Sequence, residues 1–193
     1  MLVDQVSLDT QGYVGSYKLV GGRKALDLVN TISWPDSERE HDWLTTPGNV
    51  RAWMDAVGLA PSSVTESDLG EIHQLRALLA DVLGPLAHGQ HPPRKAMERF
   101  NRCLTGVSTR RHIDPVSLEW TWQPFERARD AFGPVVFDAA DLIAHRDPTR
   151  LKHCPACDWV FLDQTRNGRR RWCDMADCGS RAKARSYYRR NKT

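Results

Sequence analysis

Four of the five cysteines of this 193-residue chain stand in its last quarter, at the spacing of a metal site. Two residues separate Cys154 from Cys157, fifteen follow, and four separate Cys173 from Cys178. Two thiolates two residues apart can both reach one tetrahedral ion, and a second pair brought back by a turn completes a shell of four sulfurs. Zinc suits that shell, having no redox chemistry and little geometric demand beyond the tetrahedron. The alternatives are disulfides, idle thiols and an iron–sulfur cluster. Crowding at one end argues against a disulfide framework, and nothing else points to redox work. His153 adjoins Cys154 as a substitute ligand that four thiolates make unnecessary. One structural Zn2+ on Cys154, Cys157, Cys173 and Cys178 is the expectation. Such a site has no open position for water or substrate, so catalysis is not expected. Cys103 stands alone and reads as a core thiol.

The cysteine-rich segment is also cationic. Residues 151–193 hold 11 Lys and Arg against 4 Asp, although the whole chain carries only +3. A mildly acidic body with a basic end suits a polyanion partner. Beyond Cys178 the composition favours a helix, with Arg181, Arg185 and Arg189 at i, i+4 and i+8 and Lys183 and Arg190 flanking them. Such a stripe can track the phosphates of duplex DNA; the plain alternative is a solvated helix face. Arg169, Arg170 and Arg171 either join that contact or offset the formal charge of about −2 that four thiolates leave on zinc. Tyr187 and Tyr188 either pack on the finger or stack on unpaired bases.

These residues need a scaffold, and the chain has the composition for one. Apolar residues make up 40% and charged residues 26%, which excludes a disordered chain. No window reaches eighteen uncharged apolar residues, so no membrane partner is expected. The first residues show neither a basic nor an apolar signal region, and cytoplasm is the default. Weak alternation over 1–17 and the run Lys18-Leu19-Val20 read as short strands, broken by Gly21-Gly22. Ala25, Leu28, Val29 and Ile32 follow helical spacing. Thr46-Pro47 starts a helix that ends at Gly58, and Thr65 or Ser67 starts a longer one ending near Gly89. Met97, Phe100 and Leu104 mark a helix stopped by Gly106. Val116, Leu118, Trp120 and Trp122 alternate with polar residues as a strand paired with Arg111–Ile113. Helix returns over 125–145, broken at Gly133-Pro134, and Asp147-Pro148 ends the body. In the tail, 159–162 reads as a strand, Asn167-Gly168 as a hairpin turn and 169–172 as the return strand. The order knuckle, hairpin, ligand, helix resembles a treble clef.

In the body, Asp27, Asn30 and Thr31 are polar among apolar neighbours. With Trp53 they are candidates for lining a small-molecule pocket; the alternative is that they hydrogen-bond loop backbone. No phosphate loop, nucleophile elbow or HExxH run is present, which again gives no reason to expect an enzyme.

The run from Cys154 to Asp163, then Asn167 to Met175, then Cys178-Gly179-Ser180-Arg181 through Arg185, resembles the CGNR zinc-finger family, with serine where the family tetrapeptide has asparagine. The run Gly21 to Thr31, with Thr46-Pro47 and Trp53 to Leu59, resembles the ABATE domain that usually precedes this finger. The resemblance implies a bacterial, stress-responsive transcription regulator.

The expected architecture is α+β. A mainly helical ABATE-like body with a small antiparallel sheet occupies 1–147, and a treble-clef-like zinc finger with four cysteine ligands occupies 148–193. The expected function is a zinc-finger DNA-binding regulator whose body senses a small-molecule effector or forms a homodimer. The rivals are a zinc-scaffolded protein-interaction adaptor and an RNA-binding protein.

Overall fold

The computed structural model describes residues 5–35, 37–59, 63–123, 127–145, 147 and 149–191. Residues 125 and 126 of the expected helix and Pro148 of the expected boundary lie outside them. A two-stranded antiparallel ribbon comes first, β1 (Gln5–Val6) with β2 (Tyr17–Lys18), Val6 opposite Tyr17. Gly21 and Gly22 then turn the chain into α1 (Lys24–Val29). A Cβ on Gly21 would lie 2.8 Å from Leu26 Cβ and 2.9 Å from the Asp27 carboxylate, while Gly22 has φ of +76°. One position needs glycine for close approach, the other for the left-handed backbone. A second antiparallel ribbon joins β3 (Ile32–Ser33) to β4 (His41–Asp42).

Thr46 caps α2 (Pro47–Ala56): its hydroxyl accepts from the Asn49 N–H at 3.1 Å, and Pro47 takes the first turn, where no N–H is required. The long helix α3 (Glu66–Ala87) starts at Thr65, whose N–H donates to the Asp68 carboxylate at 2.8 Å. Its stripe of Ile72, Leu75, Leu79, Val82, Leu83 and Leu86 is buried. The next helix, α4 (Arg94–Ser108), runs through Gly106, where a stop is expected from sequence. One interior glycine costs only about 1 kcal/mol, less than burial of Phe100 returns.

The hairpin of β5 (Arg111–Ile113) and β6 (Trp120–Trp122) pairs in the expected antiparallel sense, but its second strand is shorter than the alternation predicts. Asp114 accepts from the N–H groups of Val116 and Ser117 at 2.9 and 2.7 Å, closing a turn that takes Val116 and Leu118 into solvent. A 3-10 turn at Ala128–Phe132 leads into α5 (Gly133–His145), the break falling at Gly133-Pro134 as expected. The last ribbon is β7 (Leu151–His153) with β8 (Val160–Leu162), followed by a wide turn at Met175–Gly179 and α6 (Ser180–Arg190).

The α+β class holds. Helices dominate, and the strands form four separate antiparallel ribbons among the described residues where one small sheet is expected. The centre is α3, which packs on α1, α4 and α5 and also on β7 and β8. Leu151 and Val160 of the cysteine-rich segment lie in the core of the body, while Val20 of the body lies in the apolar cluster around the cysteines. The two segments thus share side chains across their seam.

Within that core runs a buried polar chain. Trp53 Nε1 donates to the Tyr17 hydroxyl at 3.2 Å, and that hydroxyl donates to the Asp27 carbonyl at 2.5 Å. Asp27 Oδ1 accepts from the Gly21 N–H at 2.7 Å. Burial pushes the Asp27 carboxyl up to about 7, against the opposing hydrogen bonds from Gly21 and Val20. The folded state therefore keeps a proton that the unfolded chain releases near pH 4, and stability falls as pH rises from about 4 to 7. Asp27→Asn retains the acceptor and removes the charge. Urea unfolding at pH 5 and pH 8 is expected to show the variant's advantage over wild type larger by roughly 2 kcal/mol at the higher pH. An equal difference at both pH values counts against a buried proton.

Candidate metal centre and cationic helix

Cys154 follows β7 and Cys157 precedes β8, so the knuckle is the turn of that hairpin. Cys154 N–H donates to the Trp159 carbonyl at 2.8 Å, closing it. Here the structure corrects the expected pairing. The strand at 160–162 pairs backward with 151–153, and residues 169–172 are an irregular loop with no strand. The physical reason is Asp163, buried at 1% exposure directly after β8. It accepts from Lys152 Nζ at 2.8 Å, Thr165 Oγ1 at 2.6 Å and the Arg170 N–H at 2.8 Å, bending the chain where a return strand would run. Burial opposes its ionisation, but the hydrogen bonds from Lys152, Thr165 and Arg170 hold its carboxyl well below the ordinary carboxylate range. Asn167-Gly168 does form a turn, with Gly168 at φ +60°.

The loop delivers Cys173 to the knuckle, and the Met175–Gly179 turn delivers Cys178. Cys173 Sγ lies 3.5 Å from Cys157 Sγ and 3.6 Å from Cys178 Sγ, and all four sulfurs lie within 4.8 Å of one another. Zinc–sulfur bonds of about 2.3 Å require tetrahedral edges of about 3.8 Å, so the donor set fits one zinc ion. Without a cation the four sulfurs must share protons. The Cys157 thiol holds Cys154 far below the ordinary thiol value, while Cys154 holds Cys157 and Cys173 far above it. A divalent ion replaces those shared protons.

The candidate arginines divide by geometry. Arg170 is structural: its guanidinium donates to the carbonyls of Trp172 and Val20, each at 3.0 Å, and to that of Cys173, and it lies 4.4 Å over the Phe161 ring. Arg181 serves the sulfurs, with Nη2 3.3 Å from Cys178 Sγ and Nη1 3.2 Å from Asp177. Arg170 is half-buried with its donors on backbone carbonyls, while Arg181, 47% exposed, keeps a face toward solvent. Arg169, Arg171, Lys183, Arg185, Arg189 and Arg190 are exposed. Helix α6 buries none of its eleven residues, and Tyr187 and Tyr188 are 58% and 67% exposed, so neither packs on the finger.

The four candidate pocket residues turn inward as staples. Asn30 Nδ2 donates to the Val160 carbonyl and Asn30 Oδ1 accepts from the Val160 N–H, both at 2.8 Å, so one side chain pairs with β8 as a strand would. Thr31 Oγ1 donates to the Leu28 carbonyl at 2.7 Å and accepts from Arg76, which is clamped on Asp42 at 2.6 and 2.5 Å. Asp27 and Trp53 belong to the polar chain above. Buried amides and hydroxyls must find partners, and the nearest are backbone groups of the seam. Sequence reasoning missed Asp163 and Lys152. A lone aspartate between a strand and a turn was the available signal.

Residues 22–146 match the ABATE family, described as "Putative stress-induced transcription regulator", and residues 150–191 match the CGNR zinc finger. Among curated proteins no sequence matches the chain. No helix among the described residues is long and apolar enough to cross a membrane. With the ABATE match spanning well over half of its length and a four-cysteine finger built to hold one zinc ion behind it, the chain belongs to the ABATE family and carries a CGNR zinc finger.

Proposed function

We propose that the protein is a DNA-binding transcription regulator in which zinc fixes the root of α6 and the helix lies along duplex DNA. The observation that carries this reading is α6 itself. An eleven-residue helix with no buried side chain gains nothing from core packing, and Arg185, Arg189 and Lys183 form no ion pair among the described residues. Isolated helices of that length are marginal in water, and a phosphate backbone supplies the countercharge that stabilises this one. Arg169 and Arg171, exposed on the loop before Cys173, extend the cationic surface. Zinc supplies rigidity when bound, and its closed thiolate shell supports a binding role over a catalytic one. Reduced cysteines support a cytoplasmic setting.

The test is binding of the zinc-loaded full chain to duplex DNA across a salt series. Affinity is expected to fall steeply with salt, and Arg185→Ala with Arg189→Ala to weaken binding to all sequences and lower the log–log slope by about 2. Affinity indifferent to salt overturns the reading. Exposed Tyr187 and Tyr188 favour a second reading, single-stranded RNA, because aromatic faces stack on unpaired bases. Competition between RNA and duplex separates the two.

For effector sensing, the space that fits is a cleft of about 310 Å³ between α3 and α4 with Leu75, Cys103, Arg99, Arg102 and Arg129 on its walls. Arg102 and Arg129, against the single acid Glu71 in the lining and with Arg99 held by Asp81, would favour an organic anion. Cys103 is half-buried in its lining. For a homodimer, the apolar tip of the β5–β6 hairpin, with Val116 90% exposed, is the supporting surface. Sedimentation of Val116→Asp against wild type tests it.

A further inference from the structure

A small cavity of about 80 Å³ lies at the seam between the body and the finger, apart from the anion cleft. Tyr13, Trp34, Trp43 and Trp159 put four aromatic side chains in its wall. Cys157, Cys173 and Cys178 close it on the side of the metal centre.

The wall is set before any ligand arrives. Trp43 is 1% exposed, and its Nε1 donates to Ser33 Oγ at 2.8 Å. Trp159 Nε1 donates to the Ile32 carbonyl at 2.8 Å. Both indole N–H groups are thus spent on the frame, and what they leave for the cavity is π surface. Trp34 has φ of +55°, a backbone region costly for a bulky residue and concentrated at functional sites.

Charge decides what fits. Lys18 pairs with Asp174 at 2.6 Å and Arg181 with Asp177 at 3.2 Å, so the four charged side chains of the wall cancel. What remains is the formal charge of about −2 that zinc leaves on four thiolates, beside aromatic rings whose faces are negative. The Trp34 ring already attracts cations within the chain. Arg39 Cζ lies 3.9 Å from its centroid, and Arg181 Cζ, also in the cavity wall, stands off at 5.4 Å. An anion is repelled from such a space, and a neutral group gains nothing from its field. Size narrows the choice further. The volume is about half of the roughly 150 Å³ that holds benzene, which is room for about four heavy atoms.

We propose that this cavity binds the methylated ammonium head of a small organic cation, a nitrogen with its methyl groups, by cation–π contact. Arg181 stands in the first turn of α6, with Nη2 3.3 Å from Cys178 Sγ. The ligand therefore sits against the root of the cationic helix, and its occupancy is linked to how that root is set.

Calorimetric titration of the zinc-loaded full chain with choline chloride, against sodium chloride at matched ionic strength, tests this. The comparison ligand is the neutral alcohol of the same shape in which carbon replaces choline's nitrogen. Choline is expected to bind at one equivalent, and the alcohol about tenfold more weakly. Trp34→Leu should weaken choline binding by about tenfold, Trp34→Phe should keep most of it, and Trp120→Leu, in the β5–β6 hairpin, should leave it unchanged. Arg181→Ala removes a neighbouring positive charge and should tighten it. Every variant keeps one zinc by elemental analysis. Should Trp34→Leu misfold, Trp34→Phe and the ligand pair on wild type still decide. No saturable choline binding, equal affinity for the alcohol, wild-type affinity in a folded Trp34→Leu, or weaker binding in Arg181→Ala overturns the proposal.

Discussion

Cys173→Ser is expected to cost the protein its zinc and with it the order of residues 150–191. Cys173 lies between two other sulfurs, at 3.5 and 3.6 Å, so its loss opens the tetrahedron at the contact that joins loop to knuckle. Structural zinc is worth about 10–16 kcal/mol in small fingers, more than the segment's own apolar cluster supplies. That cluster is Val20, Phe161 and the four cysteines themselves. The effect should reach beyond the finger, because Leu151 and Val160 complete the core of the body. Elemental analysis should find one zinc per chain in wild type and none in the variant, and urea unfolding should begin at lower concentration for helices of the body too. A variant that keeps its zinc and its unfolding curve would sink the tetrathiolate assignment. Chelator treatment of wild type should reproduce the variant, separating metal loss from the substitution.

Asp163→Ala should cost about 3 kcal/mol, the next largest effect, without touching any sulfur. The substitution leaves the Arg170 N–H without its acceptor and removes the counter-charge from Lys152 Nζ, which keeps the Gly168 carbonyl at 2.6 Å. It also frees the 163–172 loop, so zinc should exchange faster with a chelator while stoichiometry stays at one. Because the Asp163 carboxyl is held below its unfolded value, its contribution is present above about pH 4 and lost as pH falls further. The deficit against wild type should therefore shrink in acid. Adding Lys152→Met to Asp163→Ala should recover part of the loss, since removing both partners costs less than orphaning one. If the double variant is no more stable than Asp163→Ala, the ion pair does not hold the loop.

Much of the helical frame could be read along the chain, because its signals are local. Thr46-Pro47, the Thr65 start, the stripe from Ile72 to Leu86 and the Gly133-Pro134 break each act within a few turns, and each appears where the residues place it. The errors fall where a distant partner decides. The Asn167-Gly168 turn points to 169–172 as the neighbour of strand 160–162, and Asp163, tied to Lys152 eleven residues back, bends the chain away from that pairing. The arginines could be counted but not sorted: Arg170 and Arg181 look like their neighbours until Val20, Phe161 and Cys178 are brought alongside.

Ligand identity and the cationic nature of the tail were settled by the chain alone, because thiolate chemistry and charge belong to residue types and their spacing. Which polar residues face inward was settled only by tertiary packing. Asn30 satisfies backbone groups of Val160, 130 residues away, and no local pattern encodes a partner at that separation.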